Sequence, residues 1–353
     1  MPRALELGIH IGTLDPGPTN SILDVPGVGV GHATLIRDET PPPHGRGIAR
    51  TGVTVVDFGG DHWANPLPLG GAVLNGAGEC TGLLTAHEWG LLETPIFLTS
   101  TMQLGRVYDA ACELLLEEQP GIIDDVVIPV VAECDDSFLS FSGRMQVSKD
   151  DVAEALAAAR ASASTPEAAA EGGVGAGAGM SCFGWKGGVG TASRRVGNYL
   201  VGVLLLTNFG QADRLTVAGV QVGRSLFPPS PTAPPGGSCI GIVATNAPID
   251  HHGCERLARR IGLGLGRSGS TGHHSSGEIF LGVATGLRSP RGLRPAGSGL
   301  GGVELDPFFE AVIDASEEAV LNSLFSAATT VGTSGHVSHA LPLEDLLALL
   351  ARK

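Results

Sequence analysis

Apolar and polar positions along the chain follow two periods. Short apolar runs bounded by Gly, Pro or Asp predict strands over Gly52–Phe58, Pro95–Thr99, Val126–Glu133, Tyr199–Thr207, Cys239–Thr245 and Glu278–Thr285. Apolar residues at helical spacing predict helices over Val107–Glu118, Asp150–Ala161, Glu255–Gly266, Phe308–Phe325 and Pro342–Arg352. Asp306 followed by Pro307 has the form of an N-cap with proline at the first helical position. Strands interleaved with helices put the chain in the α/β or α+β classes. No segment repeats at a fixed period of roughly 20 to 50 residues.

Two stretches interrupt this pattern. From Ala159 to Gly179 an Ala-rich helix runs into GGVGAGAG, which reads as a mobile glycine loop. From Ser225 to Gly237 the sequence SLFPPSPTAPPGG excludes both helix and interior strand, because proline breaks each. The apolar run SCIGIVATN begins immediately afterwards. An exposed segment abutting a buried strand is a place where a chain can be cut without dismantling its core.

Composition narrows the function classes. With 353 residues, 42% hydrophobic and 16% charged, the chain is large enough for a substantial core in one large domain or two ordinary ones. Its 53 glycines are about twice the usual share of roughly 7%, which indicates tight turns and close backbone approach. A net charge of −14 disfavours a nucleic-acid partner. No apolar run reaches the length of a membrane span, and the first residues lack the apolar segment of a signal peptide. Six cysteines without CxxC spacing point to free thiols. These features lead us to expect a cytoplasmic enzyme with no membrane partner.

Ser238 stands where the proline-rich segment meets the apolar run, behind Gly236 and Gly237. A serine hydroxyl needs a base to become a good nucleophile. Attack by Ser238 on the Gly237 carbonyl turns the peptide into an ester, and water then releases a chain that begins with Ser238. Its α-amine, with a pKa near ~7.7–8.0, is a built-in general base. Glycine before the nucleophile tolerates strained backbone and leaves the carbonyl open. Gly-Gly-Ser taken alone reads first as a loop entering a strand.

Further motifs decide between those readings: ILDVPGVGVGH (22–32), NGAGECTG (75–82), ETPIFLTST (93–101), VVAECDDSFL (130–139), GAGAGMSCFGWKGGVGTASR (175–194), TNFG (207–210), GGSCIGIVATNAP (236–248), SSGEI (275–279) and EEAVLNSLFSA (317–327). In this order the set resembles peptidase family S58, which includes the L-aminopeptidase/D-Ala-esterase-amidases and β-peptidyl aminopeptidases and is related to the nylon-oligomer hydrolases. The resemblance implies an α+β fold, a four-layer αββα sandwich of Ntn-hydrolase type. A single catalytic domain, 1–353, would be cut into chains 1–237 and 238–353. Relatives assemble as homo-oligomers of such heterodimers, commonly tetramers, and act on short peptides, amides or esters.

The resemblance also assigns roles. Ser238 matches the self-processing nucleophile, with cleavage between Gly237 and Ser238. Asn208, at the end of YLVGVLLLT, matches an asparagine whose amide can donate to an oxyanion. Ser276 and Glu278 match the family's Ser-Gly-Glu element; two apart on an extended strand, they share one face and can both face one pocket, where the carboxylate can hold the Ser238 ammonium or orient Ser276 beside the nucleophile. Lys186 matches an active-site lysine that steadies a carboxylate or the oxyanion. Glu133 matches an acidic residue that binds the substrate ammonium. No tyrosine lies between Tyr108 and Tyr199, so Phe138 stands in for the family's aromatic hydroxyl without its oxygen.

No cofactor and no metal are expected. The pairs His251/His252 and His273/His274 lack the i, i+4 spacing and companion ligands of a zinc site. Cys239, one strand position beyond Ser238, should point to the opposite face as a buried thiol. An acyltransferase on the same scaffold, like the ornithine acetyltransferases, is disfavoured because those enzymes use threonine after a different motif. A non-enzymatic binding protein is the remaining alternative.

Overall fold

Ten strands gather into two sheets in the computed structural model, which describes residues 2–119, 121–122, 125–163, 165, 167–229, 237–293 and 299–352. The first part of the chain holds β1 (Gly29–Arg37), β2 (Ala49–Asp57), β3 (Leu67–Gly76), α1 (Leu83–Trp89), β4 (Leu91–Leu92), β5 (Ile96–Ser100), α2 (Leu104–Glu118), β6 (Val130–Cys134) and α3 (Lys149–Ser162). The middle holds the small hairpin β7 (Ser181–Cys182) and β8 (Trp185–Lys186), then β9 (Gly188–Val196), β10 (Tyr199–Asn208) and a second small hairpin, β11 (Thr216–Val217) and β12 (Val220–Gln221). Next come β13 (Gly237–Thr245), α4 (His251–Arg267), β14 (Ser276–Ala284) and α5 (Asp306–Phe325). The hairpin β15 (Thr330–Val331) and β16 (Val337–Ser338) precedes α6 (Leu343–Leu350).

One sheet has the order β1-β2-β5-β6 and the other β4-β3-β14-β13-β10-β9. β5 and β6 are parallel and connected through α2, and β13 and β14 are parallel and connected through α4. Parallel neighbours need such a crossover, which accounts for helices between these strands. The other pairings in the two sheets are antiparallel.

Side-chain alternation along the strands feeds three apolar clusters. Val53, Phe97 and Val131 face α2 and α3. Val56, Leu98 and Ala132 meet Leu204, Ile240 and Leu281 between the sheets. Val203, Cys239 and Phe280 face α4 and α5. The fold is thus a mixed α+β one. Glycine brings the helices close: a methyl group at Gly190 of β9 would stand 1.9 Å from the Ala319 carbonyl oxygen of α5. The Arg194–Glu318 pair at 2.6 Å joins the same two elements, both side chains almost fully buried. Losing one partner of such a pair costs about 3–5 kcal/mol. Among the described residues no helix is long and apolar enough to cross a membrane.

The helices cover the expected segments, with ends moved by caps. Ser148 caps α3 in a reciprocal box with Asp151, and Asp250 caps α4 through the Gly253 N–H. Asp306 is already helical, because a 3-10 turn over Gly302–Leu305 runs into α5 ahead of it. The strand expected from Val126 begins only at Val130, after Pro129. β1, β3 and β9 were not among the predicted strands.

The glycine loop is the larger correction. Gly175–Gly179 is a fully buried 3-10 turn rather than a mobile loop. The Gly175 and Ala176 N–H groups donate to the hydroxyls of Thr34 and Thr54, at 2.7 and 3.1 Å. A methyl group on Gly52 would fall 2.6 Å from the Gly175 carbonyl oxygen. Glycine here serves backbone-to-backbone contact. Of the proline-rich segment, residues 230–236 lie outside the described residues, and Gly237 already belongs to β13.

Candidate active site

β13 starts at an open cavity of ≈ 950 Å³. Ser238, Gly237, Asn208, Glu133 and Phe138 all line it. Register explains the meeting: Ser238 pairs with Asn208 across the antiparallel β10–β13 ladder, and directly opposed residues project from the same face. Ile240, two positions on, lies in the cluster between the sheets, so the Ser238 side chain projects to that side. The cavity is therefore the open end of the space between the two sheets. On the same side the Cys134 thiol donates to the Leu206 carbonyl at 3.7 Å, and burial raises its pKa.

Asn208 is fixed at both ends of its amide. Its Oδ1 accepts from the Ser181 N–H at 2.9 Å, and its Nδ2 donates to the Asp135 carbonyl at 2.8 Å. An amide nitrogen carries two protons, so one remains for a ligand in the cavity. Gly237 has φ 114°, and a methyl group there would lie 1.7 Å from the Asn208 carbonyl oxygen. Both the backbone conformation and the packing require glycine.

Ser276 and Glu278 share a face, as expected, and the Ser276 hydroxyl donates to the Glu278 carboxylate. They are buried, and they are not among the residues lining the cavity. Phe280 sits in the cluster facing the helices, so strand alternation puts Glu278 and Ser276 on that side. Ser276 lies opposite Gly237 in the parallel register. The pair thus borders the Gly237–Ser238 peptide from the face away from the hydroxyl. Burial pushes the Glu278 carboxyl up, against the lowering effect of Ser276. Its Oε2 is buried without a hydrogen-bond partner among the described residues.

Lys186 is placed differently from expectation. Its Nζ donates to the carbonyls of Gly177, Met180 and Gly187 at 2.9, 2.9 and 2.7 Å, and it is fully buried away from the cavity. Among the described residues it reaches no carboxylate, because the buried glycine turn surrounds it with carbonyl oxygens. Burial depresses its pKa to about 7. Cys239 is fully buried in the cluster facing the helices, and burial raises its thiol well above the ordinary range.

Glu133, the last residue but one of β6, has both oxygens engaged. Oε1 accepts from the Glu79 N–H at 2.9 Å, and Oε2 accepts from the Thr101 hydroxyl. Burial nevertheless raises its pKa. A desolvated carboxylate on a cavity wall suits a cationic ligand group. Phe138 stacks on His336, with ring centroids 4.6 Å apart and planes inclined by 7°. His336 is the residue that sequence reasoning missed. It lies in a Gly/Ser/Thr-rich stretch without a motif, and only the tertiary fold brings it to Phe138. Among the described residues no group of three or more His, Cys, Asp or Glu side chains is arranged to hold a metal.

Comparison with known proteins identifies the family. A family model described as Peptidase family S58 matches residues 20–338. β-Peptidyl aminopeptidase BapA of Sphingosinicella microcystinivorans is 38% identical over 377 residues, covering 99% of this chain and 92% of the relative. A β-aminopeptidase from a Burkholderia species has 37% identity and a TM-score of 0.88, over 99% of both chains. L-Aminopeptidase D-Ala-esterase/amidase of Ochrobactrum anthropi has 34% identity and a TM-score of 0.90, over 100% of this chain and 99% of that one. The latter is described as a prototype for the serine aminopeptidases and a variant of the Ntn hydrolase fold. Since both the family match and the identity run along nearly the whole sequence, the chain belongs to peptidase family S58 and is a hydrolase of the aminopeptidase and amidase type.

Proposed function

We propose that this hydrolase is a self-processing serine amidase that cuts its own Gly237–Ser238 bond and then releases N-terminal residues from short peptides, amides or esters. The observation that carries the reading is the pairing of Ser238 with Asn208 at the cavity, on the strand that begins with Gly237. The two sheets with helices on their outer sides are read as the four-layer αββα sandwich of Ntn-hydrolase type. β13 and β14 lie between β3 and β10 in one sheet, so chains 1–237 and 238–353 would stay interlocked after a cut.

In processing, Ser238 Oγ attacks the Gly237 carbonyl carbon. The Gly237–Ser238 C–N bond breaks, the Ser238 nitrogen takes the hydroxyl proton, and an ester links the two chains. Water hydrolyses that ester, leaving a Gly237 carboxylate and a free Ser238 hydroxyl and amine. Ser276 and Glu278 lie opposite Gly237 and Cys239 on the neighbouring strand, and the Glu278 Oε2, without a partner among the described residues, suits the new ammonium. The Ser276 bond orients the carboxylate.

In turnover, the Ser238 amine accepts the Oγ proton as Oγ attacks the substrate carbonyl. The spare Asn208 Nδ2 proton stabilises the oxyanion. The leaving amine takes the proton, and water then releases the acyl group from Ser238. Glu133 holds the substrate ammonium. Lys186 acts as a positioning residue: it anchors the Met180 carbonyl, next to the Ser181 N–H that orients Asn208.

Intact mass and N-terminal sequencing of the purified protein test the reading. A fragment beginning at Ser238 is expected, and Ser238→Ala should abolish both that fragment and turnover of an aminoacyl p-nitroanilide. Normal turnover by Ser238→Ala would remove the serine from its proposed role.

A further inference from the structure

The cavity has two chemically different ends. One is acidic: Glu133 is tied to Glu79 and Thr101 there. The other is aromatic, lined by Phe138, His336 and Phe209, with Gly184 and Gly210 leaving room beside them. Ser238 and Asn208 open onto the same cavity, and Ser181, whose N–H donates to Asn208 Oδ1, meets Ser338 of the hairpin that carries His336. If Glu133 holds the substrate ammonium and Ser238 the scissile carbonyl, the group beyond the scissile bond extends toward the aromatic end. This step rests on the function proposed above. We propose that the stacked Phe138 and His336 rings form the leaving-group subsite and select substrates whose second residue carries a flat aromatic side chain.

The ring pair is built, not incidental. The Phe138 carbonyl can only accept, so His336 Nδ1 donates to it, at 2.8 Å, and the imidazole is held in register with its neighbour. The β15–β16 hairpin carrying His336 is pinned to the same segment: the Thr333 N–H donates to the Leu139 carbonyl at 2.8 Å. A methyl group on Gly332 would lie 2.4 Å from Leu139 Cα, so the contact is close-packed. Ser338, at the end of the hairpin, meets Ser181 Oγ at 2.9 Å. Both rings are half-buried, which leaves surface for a third ring to pack against them.

The experiment compares the dipeptides Ala-Phe and Ala-Gly, which share an acyl group and differ only in the leaving residue. Wild-type protein should favour Ala-Phe in kcat/KM, and His336→Ala should lower that ratio by roughly 2- to 12-fold, the range that aromatic pairing contributes. His336→Phe keeps a ring on Phe138 and should keep the preference. An unchanged Phe/Gly ratio in His336→Ala, or its loss in His336→Phe, overturns the subsite. Should wild type hydrolyse neither dipeptide, the proposed turnover of α-alanyl peptides at Ser238 fails instead. Saturation-transfer NMR with phenylalanine and glycine then decides the subsite: phenylalanine binding lost in His336→Ala supports it, and binding retained there overturns it.

Discussion

Gly237→Ala isolates the geometry on which self-cleavage depends. The added methyl would stand 1.7 Å from the Asn208 carbonyl oxygen and 2.8 Å from its carbon. Ordinary contacts fall at about 3.5–4.0 Å, so one strand must retreat from the other by roughly 2 Å. The backbone adds to this, because φ 114° costs a non-glycine residue about 1–3 kcal/mol. The cheapest relief is for the start of β13 to lift off β10, which separates Ser238 from Asn208. A displacement of about 1 Å at reacting groups can cost ~10²-fold in rate, so processing should slow by at least that factor. Global stability should fall by only about 1–3 kcal/mol, since the strand from Cys239 onward stays buried. The assay is a denaturing-gel time course of the fragment beginning at Ser238, with urea unfolding in parallel. Turnover per mole of processed chain should be close to wild type, because Gly237 is a chain end after the cut. Processing at the wild-type rate would refute the argument that the Gly237–Asn208 contact aligns the bond.

Asn208→Asp keeps the acceptor for the Ser181 N–H but removes the Nδ2 donor; kcat should fall ~10²–10³-fold with little change in KM. A similar fall in both parameters' ratio through KM alone would assign Asn208 to substrate binding. Glu133→Gln should lower kcat/KM for free-amine substrates at least ~10-fold and leave acetylated ones unaffected, a difference read directly from paired substrates. The Glu133 carboxyl is raised by burial, so its ionised form costs stability as pH rises through the raised pKa. Wild-type stability should therefore fall relative to Glu133→Gln as pH rises from the ordinary carboxylate range through the raised pKa, as urea titrations at several pH values would show. Lys186 deprotonates near pH 7 in the folded chain and near 10.5 unfolded, so the unfolded state binds the extra proton between these values. Wild-type stability should rise relative to Lys186→Met across that window, by at most about 1.4 kcal/mol per pH unit, as denaturant titrations at several pH values would show.

The strands that the sequence made legible are those whose apolar runs suffice to mark them, such as β10 and β13. β3 and β9 escaped for physical reasons. LPLGGAVLNG gains its place by letting α4 approach: a methyl on Gly70 would lie 2.0 Å from the Glu255 nitrogen. GVGTASRRV is mostly buried despite its polarity, because its partners come from elsewhere. The Ser193 N–H donates to Asn20 Oδ1, and Arg194 pairs with Glu318 from 124 residues away. A window of neighbouring residues contains none of these partners, so burial of β9 had no local signature.

The candidate site divides along the same line. Ser238, Asn208 and Glu133 stand at strand ends beside recognisable motifs, and the sequence placed each of them where a cavity wall was found. The i, i+2 spacing of Ser276 and Glu278 correctly put them together, since alternation is local, but it carried no information about which face of β14 meets the cavity. That depends on the register with β13, where Ser276 is set against Gly237 rather than Ser238. The consequence is chemical. A carboxylate on the cavity side would meet the substrate, whereas Glu278 lies on the other face of the sheet, opposite Cys239 of β13. Lys186 shows the same dependence in reverse: the FGWKGG motif suggested a charge for the site, yet the glycine turn that wraps it leaves only carbonyls in reach. His336 required the whole fold, because 198 residues separate it from the Phe138 carbonyl that fixes its ring.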